Sequence, residues 1–464
     1  MARKIVTALL ILLFAAGALV LAVIFFLRAH DPLKGAEQRI EQYRMSDAAI
    51  VILDSSSRPL PGAELLVEQQ SHEFLFGCAL YSYTRLKDEQ ERSLYFTAWK
   101  ELFNTAMVPF FWNYYEPERG HPQRAETKEL TGFLRENGIT IYGHPLVDTN
   151  DIGSPAWLNF KMDIEAAVRQ RVEREVADYP EVAGWVVMNE PVIGWGIFPV
   201  PAWVIHRGWV EATMLSLQWA KANNPGAVML VNNYLTSRFF DVIGTVAQYG
   251  VRAFLGFAGR LKVRIPYDEF LEKLAQKNSL PDAIGIQSHM FTYDFPLWWV
   301  NRLVDQYGRF GRPIYFTEVS VMSGPHRVID WRLQQEAKDW KSTARREKFQ
   351  AEYVEKFYTL LFSRPEVDAV FWFDFTDRFA VLGAPSGLLR KDFSPKPSYL
   401  ALHRLIREKW WTRLAKRTGE DGRAQFRGFY GIYRLTVKTP SGANQAFEFK
   451  LAKNGPREFV FRLP

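Results

Sequence analysis

Hydrophobic residues first form one long run, residues 5–27, interrupted only by Thr7 and Gly17 and containing no charge. A helix crossing a bilayer needs about 20 such residues, whereas the apolar part of a cleavable secretory signal has about 7–15. The pattern therefore predicts an uncleaved transmembrane signal anchor over 5–27, in preference to a cut near Ala29. Arg3 and Lys4 precede the run and Arg28, Lys34 and Arg39 follow it, so basic residues do not fix its orientation. The short tail before it and the bulk of the chain after it favour a globular part outside the cytoplasm, periplasmic or extracellular. Residues 31–46 are mixed polar and charged and read as a stalk or short helix. Two β-rich segments, 49–53 and 64–68, then flank Asp54-Ser-Ser-Ser-Arg-Pro-Leu-Pro-Gly62, which has the composition of a turn. This predicts a β-hairpin over 47–71, too small to be stable alone.

From residue 72 to 410 short apolar runs alternate with helical periodicity. Strands are expected at 74–80, 104–108, 140–146, 182–188, 228–232, 283–287, 314–317 and 369–373. Helices are expected at 163–178, 210–223, 267–277, 297–307 and 345–362. Strands alternating with helices in this number predict a (β/α)8 TIM barrel, an α/β fold. A doubly wound open sheet lacks support, since no glycine-rich phosphate loop follows a strand. Beyond Trp411 period-two alternation returns at 428–437, 446–451 and 458–463, with turn chemistry at Thr439-Pro-Ser-Gly442 and Lys453-Asn-Gly-Pro456. Residues 423–464 and the 47–71 hairpin are each too small for a core, and are expected to combine into one accessory β-sandwich.

Composition changes this picture little. The chain has 464 residues, 48% hydrophobic and 23% charged, as in an ordinary globular protein. Aromatic residues reach 15%, which suits a large core and a sugar-stacking cleft equally. The net charge is +7 with no basic run of the kind that grips nucleic acid. Cys78, the single cysteine, lies in an apolar run and reads as a small core residue, so neither a thiol nucleophile nor a cysteine-rich metal site is expected.

Candidate chemistry lies at the ends of the predicted barrel strands, which face the active site in this architecture. Gly184-Trp-Val-Val-Met-Asn-Glu-Pro191 ends strand four in an amide beside a carboxyl group, and Ile314-Tyr-Phe-Thr-Glu318 ends strand seven in a second carboxyl. Taken singly, either glutamate could cap a helix or pair with a surface cation. Together they match glycosidic bond cleavage with retention, which needs two carboxyl groups about 5–5.5 Å apart, one protonated and one ionised. Strand six ends Ile284-Gly-Ile-Gln-Ser-His-Met290. There His289 could hold a carboxylate ionised or fill the core, and Gln287 shares its side of the strand. Trp372 on strand eight is a candidate sugar platform or a filler of the barrel mouth. His144, Asn233 and Tyr234 occupy other strand ends.

These residues resemble a family. Phe76-Gly77, Glu116-Pro-Glu-Arg-Gly120, Gly143-His144, Val187-Met-Asn-Glu190, Asn232-Asn-Tyr234, Gly285-Ile-Gln-Ser-His289, Thr317-Glu318 and Lys391-Asp-Phe-Ser-Pro-Lys-Pro-Ser-Tyr399 together are similar to the family 10 glycoside hydrolases, the endo-β-1,4-xylanases. The resemblance covers about 74–408. It implies that Glu190 is the acid/base, Glu318 the nucleophile, Asn189 the amide that holds the sugar 2-hydroxyl and His289 the histidine that orients the nucleophile. Two departures stand out. Pro109-Phe-Phe-Trp-Asn-Tyr-Tyr-Glu-Pro117 has no counterpart of the Glu-Asn pair and Lys that grip the glycone sugar in xylanases, which brings Trp112 forward as a binding candidate. Asp148 stands where xylanases carry Trp, as a candidate hydroxyl acceptor.

The expected protein is thus a membrane-anchored retaining endo-β-glycosidase acting on β-1,4-type linkages of a xylan-like polymer or exopolysaccharide. Neither metal nor organic cofactor is required, no nucleic-acid partner is expected, and the oligomeric state is not fixed by the sequence. The alternative from another class is a catalytically silent, membrane-anchored glycan-binding protein on the same barrel.

Overall fold

Segments that are apolar on both faces become the inner wall of the molecule, and those that alternate become a separate pair of sheets. The structure is a computed structural model that describes residues 31–192, 198–234, 266–327 and 339–464. The predicted span at 5–27 lies outside the described residues; among the described residues no helix is long and apolar enough to cross a membrane.

The first described helix, Ala36–Arg44, is the short helix of the two readings of 31–46. It packs on the barrel through buried Ile40 and Arg44, because Arg44 has unpaired carbonyls to satisfy there: it donates to Phe362 O at 2.8 Å and Val367 O at 2.5 Å. β1 (Met45–Leu53) and β2 (Glu64–His72) follow.

The barrel strands are β3 (Leu75–Ala79), β4 (Thr105–Pro109), β5 (Thr140–His144), β6 (Val147–Asp148), β7 (Gly184–Asn189), β8 (Val228–Tyr234), β9 (Ala283–Met290), β10 (Ile314–Val321) and β11 (Val367–Trp372). Pairing is parallel throughout, and β11 closes onto β3. β5 and β6 both pair with β7 and share one barrel position, so the ring has eight places. The interior is filled by Met107, Tyr142, Val186, Leu230, Tyr315 and Phe371, a packed core of the kind parallel barrels require. The five predicted helices occur at Ile164–Asp178, Trp209–Asn223, Tyr267–Gln276, Leu297–Gly308 and Ala344–Ser363. Two more, Glu89–Leu102 and Arg124–Glu136, follow β3 and β4, and a short one, Pro397–His403, follows β11.

After the barrel come β12 (Arg413–Arg417), β13 (Arg423–Phe429), β14 (Gly431–Lys438), β15 (Asn444–Leu451) and β16 (Glu458–Arg462). The predicted hairpin at 47–71 does not form. β1 lies between β13 and β16 in a three-stranded sheet, while β2 lies between β12 and β14 in a four-stranded sheet ending in β15. The physical reason is burial. Ile50 and Ile52 from one sheet and Leu65, Val67, Tyr433, Leu435 and Val437 from the other enclose one apolar cluster, which a two-stranded ribbon cannot do.

Candidate active site

Asn189 ends β7, opposite Asn232 of β8 in register, and Glu190 follows it directly. Glu190 adopts left-handed backbone geometry (φ 54°), which costs a non-glycine residue about 1–2 kcal/mol. It is held there by the bond from its N–H to Asn232 O at 2.8 Å and by the Thr149 hydroxyl, which donates to its carbonyl. Glu318 enters the barrel mouth through an irregularity. The pairing of β10 with β9 shifts between Phe316 and Glu318, so that Glu318 lies beside Gln287. Strict alternation from the inward Tyr315 would have sent Glu318 outward; bulges beside active sites re-aim side chains in this way.

The two carboxyl groups sit in opposite environments. Glu318 Oε2 accepts from His289 Nε2 at 2.9 Å, and its Oε1 accepts from Asn232 Nδ2 at 2.7 Å and lies 3.1 Å from His144 Nε2. Behind the imidazoles stand two hydroxyls, Tyr81 OH at 2.6 Å from His144 Nδ1 and Ser320 Oγ at 2.9 Å from His289 Nδ1. His289 can therefore donate Nε2–H to Glu318 in its neutral or its protonated form, and His144 holds its Nε2 within ion-pair distance of Oε1. Burial pushes the Glu318 carboxyl up, but the bonds and charge from His144 and His289 outweigh it and hold it at about 2. Glu190 goes the other way. Burial raises it above the usual carboxylate range, and the nearby Glu318 charge adds to the rise, against bonds from Asn150 and Gln287. Those donors are Asn150 Nδ2, 3.0 Å from Oε2, and Gln287 Nε2, 2.8 Å from Oε1. One carboxyl group shifted toward holding its proton, beside one held ionised, is the arrangement of an acid and a nucleophile.

Asn189 links the pair. Its Oδ1 accepts from Asn232 Nδ2 at 2.8 Å and Gln287 Nε2 at 3.3 Å. Asn232 reaches this position because Gly285 stands opposite: a Cβ there would lie 2.7 Å from Asn232 Oδ1.

The structure thus brings together Glu190, Glu318, Asn189, His289, Gln287 and His144. It places His144 against the carboxylate instead of in a sugar-binding role. Tyr234 stands at the rim, with its hydroxyl 3.5 Å from His289 O. Three candidates fall elsewhere, and a fourth, Asp148, lies in the site but is bonded to Asn189. Asn233 has the parity opposite to Asn232, and its Nδ2 bonds Tyr234 O at 3.0 Å. Trp372 is wholly buried in the outer core, with Nε1 on Asp374 O, because the alternation that puts Phe371 inside turns Trp372 away. Trp112 is buried beneath Arg171 and bonded to Glu116 Oε2 at 3.0 Å, which makes it packing. Asp148 is buried with both oxygens occupied, by Asn189 Nδ2 at 2.7 Å and Asn150 N at 2.6 Å, so it is no free hydroxyl acceptor.

Sequence reasoning missed Tyr81, Asn150 and Ser320, and named Asn232 only within the Asn232-Asn-Tyr234 motif, choosing its neighbour Asn233 instead. The period of two from Glu318 was a signal for Ser320. In the aromatic loop Phe110 and Tyr115 are core, Phe111 meets His144 edge-on at 5.4 Å, and Tyr114 is exposed. The C-terminal motif is structural: Lys396 is fully buried and ties Asp377 (2.7 Å) to Ser323 (2.9 Å), joining the ends of β11 and β10. Among the described residues no cluster of three or more His, Cys, Asp or Glu is placed to hold a metal ion.

The family model of Glycosyl hydrolase family 10 matches residues 66–246. The chain is 23% identical over 442 residues to the anti-sigma-I factor RsgI6 of Acetivibrio thermocellus, covering 92% of this chain and 50% of that protein. It is 25% identical over 298 residues to endo-1,4-beta-xylanase 5 of Arabidopsis thaliana, covering 63% of this chain and 48% of that protein. The chain therefore spans about half the length of these two relatives. Against endo-1,4-beta-xylanase B of Thermotoga neapolitana it is 22% identical, covering 64% of this chain and 78% of that protein. Among solved structures, xylanase 10B of Thermotoga petrophila RKU-1 in complex with xylobiose superposes with a TM-score of 0.53 at 20% identity, covering 73% of this chain and 95% of that one. The catalytic core of a xylanase A gives 0.55 at 16% identity, covering 72% and 98%. At these identities the superpositions show the shared barrel fold.

Proposed function

We propose, from the membership of this chain in glycosyl hydrolase family 10, that it is a retaining β-glycosidase cleaving β-1,4-type linkages within a polysaccharide. The observation that carries this reading is the placing of two buried carboxyl groups at one barrel mouth in opposite settings, Glu318 bonded by His289 and Asn232 and Glu190 by Asn150 and Gln287, which shifts the first down and the second up. Glu318 attacks the anomeric carbon and expels the leaving oxygen, which takes its proton from Glu190. Glu190 then removes a proton from water, which attacks the glycosyl–Glu318 ester and restores both groups. His289, His144 and Asn232 keep Glu318 ionised, and Asn189 offers its amide to the sugar beside the reacting carbon.

The polymer is a question of the glycone grip. Phe111, against His144, stands in the loop where xylanases place charged and amide residues, and Tyr114 is exposed beside it. A site without hydroxyl partners loses discrimination worth orders of magnitude. The expected result in a reducing-sugar assay on a panel of β-linked polysaccharides is weak turnover of plain xylan and better turnover of another, hexose-containing polymer. Efficient turnover of unsubstituted xylan alone would refute the specificity. Hydrolysis of no panel member, with binding retained, would favour the second reading, a glycan-binding protein on this barrel, which draws support from similarity to a protein named as an anti-sigma factor over 92% of the chain. The apolar run at 5–27 supports placing the site outside the cytoplasm on a membrane anchor.

A further inference from the structure

Asp148 is a third carboxyl group at the barrel mouth, and the double displacement does not use it. It is 2% exposed and is wired to both reacting carboxyls through amides. Asn150 bridges to one, its backbone N–H donating to Asp148 Oδ1 at 2.6 Å and its Nδ2 donating to Glu190 Oε2 at 3.0 Å. Asn189 and Asn232 bridge to the other, from Asp148 Oδ2 through Asn189 Nδ2 and Oδ1 to Asn232 Nδ2 and Glu318 Oε1.

The direction of this second chain is set at its Asp148 end. An ionised carboxylate only accepts, so Asn189 must turn its NH2 toward Asp148 and its oxygen toward Asn232. Asn232 must then present NH2 to Asn189 and Glu318, and its own oxygen to the Thr317 hydroxyl, as it does. An amide at 148 could offer its oxygen to only one of the two donors now held by Asp148, and would set NH2 against the other.

We propose, on the assignment of Glu190 as acid/base, that Asp148 is a positioning residue: it orients the amides of Asn189 and Asn150 and, in its ionised form, puts a negative charge behind Glu190. Both carboxyls accept N–H donors on each oxygen, Glu190 from Asn150 and Gln287 and Asp148 from Asn150 and Asn189, but Glu190 is the less deeply buried residue of the two. Burial and the Glu190 charge push Asp148 up to about 7, the mark of two carboxyls that do not ionise independently. Among the described residues, the titratable groups acting on this pair are His144 and Tyr81 beside Asp148, and Glu318 and His289 beside Glu190.

The test is a titration that needs no turnover. In the purified chain labelled with 13C at Glu Cδ and Asp Cγ, the Glu190 signal is assigned by its loss in Glu190→Gln. In the unmodified protein the Glu190 and Asp148 signals should each show two inflections. In Asp148→Asn the Glu190 midpoint should fall by about one pH unit, and the basic limb of kcat/KM should move down with it, while the acid limb stays. Single-step titration of Glu190 in the unmodified protein, or an unchanged midpoint in a folded Asp148→Asn variant, would overturn the proposal. If the variant does not fold, the two inflections alone decide. A midpoint that moves in a protein hydrolysing none of the panel supports the link while sinking the proposed activity.

Discussion

Replacing His289 by Ala tests how the fold keeps its nucleophile ionised. Glu318 sits at about 2 against an ordinary 4.5, a preference on the order of 3 kcal/mol for the charged form, reached although burial works against it. Oε1 has two neighbours, Asn232 and His144, whereas Oε2 has His289 as its bonded partner among the described residues. A hydrogen bond to a charged group contributes about 1.5–3 kcal/mol, so its loss should raise Glu318 by about 1–2 pH units. The sign follows from the depressed value: activity that needs ionised Glu318 is lost as pH falls through it, and that loss should begin at about pH 3–4 in the variant. The assay is kcat/KM from pH 2 to 7 on an activated aryl β-glycoside, which does not require the acid, with circular dichroism to confirm folding. His289→Gln, which keeps a donor, should restore part of the shift. An acid limb that stays in place in His289→Ala would refute the claim that this bond sets the charge of Glu318.

Two further outcomes follow from the same geometry. Glu190→Ala should reduce hydrolysis of polysaccharide by several orders of magnitude and of activated aryl glycosides far less, since only the former need a protonated leaving group; equal losses would move the acid role elsewhere. Deleting residues 423–464 removes both partners of β1 and one of the two partners of β2. Uncovering Ile50, Ile52, Leu65 and Val67 costs roughly 1.5–3 kcal/mol each, so the melting temperature should fall by at least about 5 °C. An unchanged melting curve would show that the two sheets do not share a stabilising core.

The barrel was legible because its strands are buried on both faces, and each reads as a short apolar run that stops at a polar residue, as β7 does at Asn189. Helices such as Ile164–Asp178 were equally plain, opened by Asp163, whose side chain accepts from Ala166 N. Glu89–Leu102 was overlooked although Asp88 caps it and Tyr95, Phe96, Trp99 and Leu102 form its buried stripe. What stayed hidden depends on register. A shift between β7 and β8 decides that Asn232, and not Asn233, meets the carboxylates, and parity alone turns Trp372 into the core. The tract at 47–71 carries turn residues, yet whether two strands pair or part into separate sheets is settled by partners about 360–380 residues away. Tyr81 and Ser320 act through imidazoles whose positions only the fold supplies.

The central claim is that Glu318 forms a covalent bond to sugar, and mass spectrometry reads this most directly. Incubation with a 2-deoxy-2-fluoro glycoside carrying an activated leaving group slows breakdown of the ester more than its formation. The account predicts a stoichiometric mass increase of one fluorosugar, located by peptide fragmentation on Glu318 and absent from Glu318→Gln. A label on another residue would contradict the account, as would turnover of natural polymer that inverts the anomeric centre without any adduct.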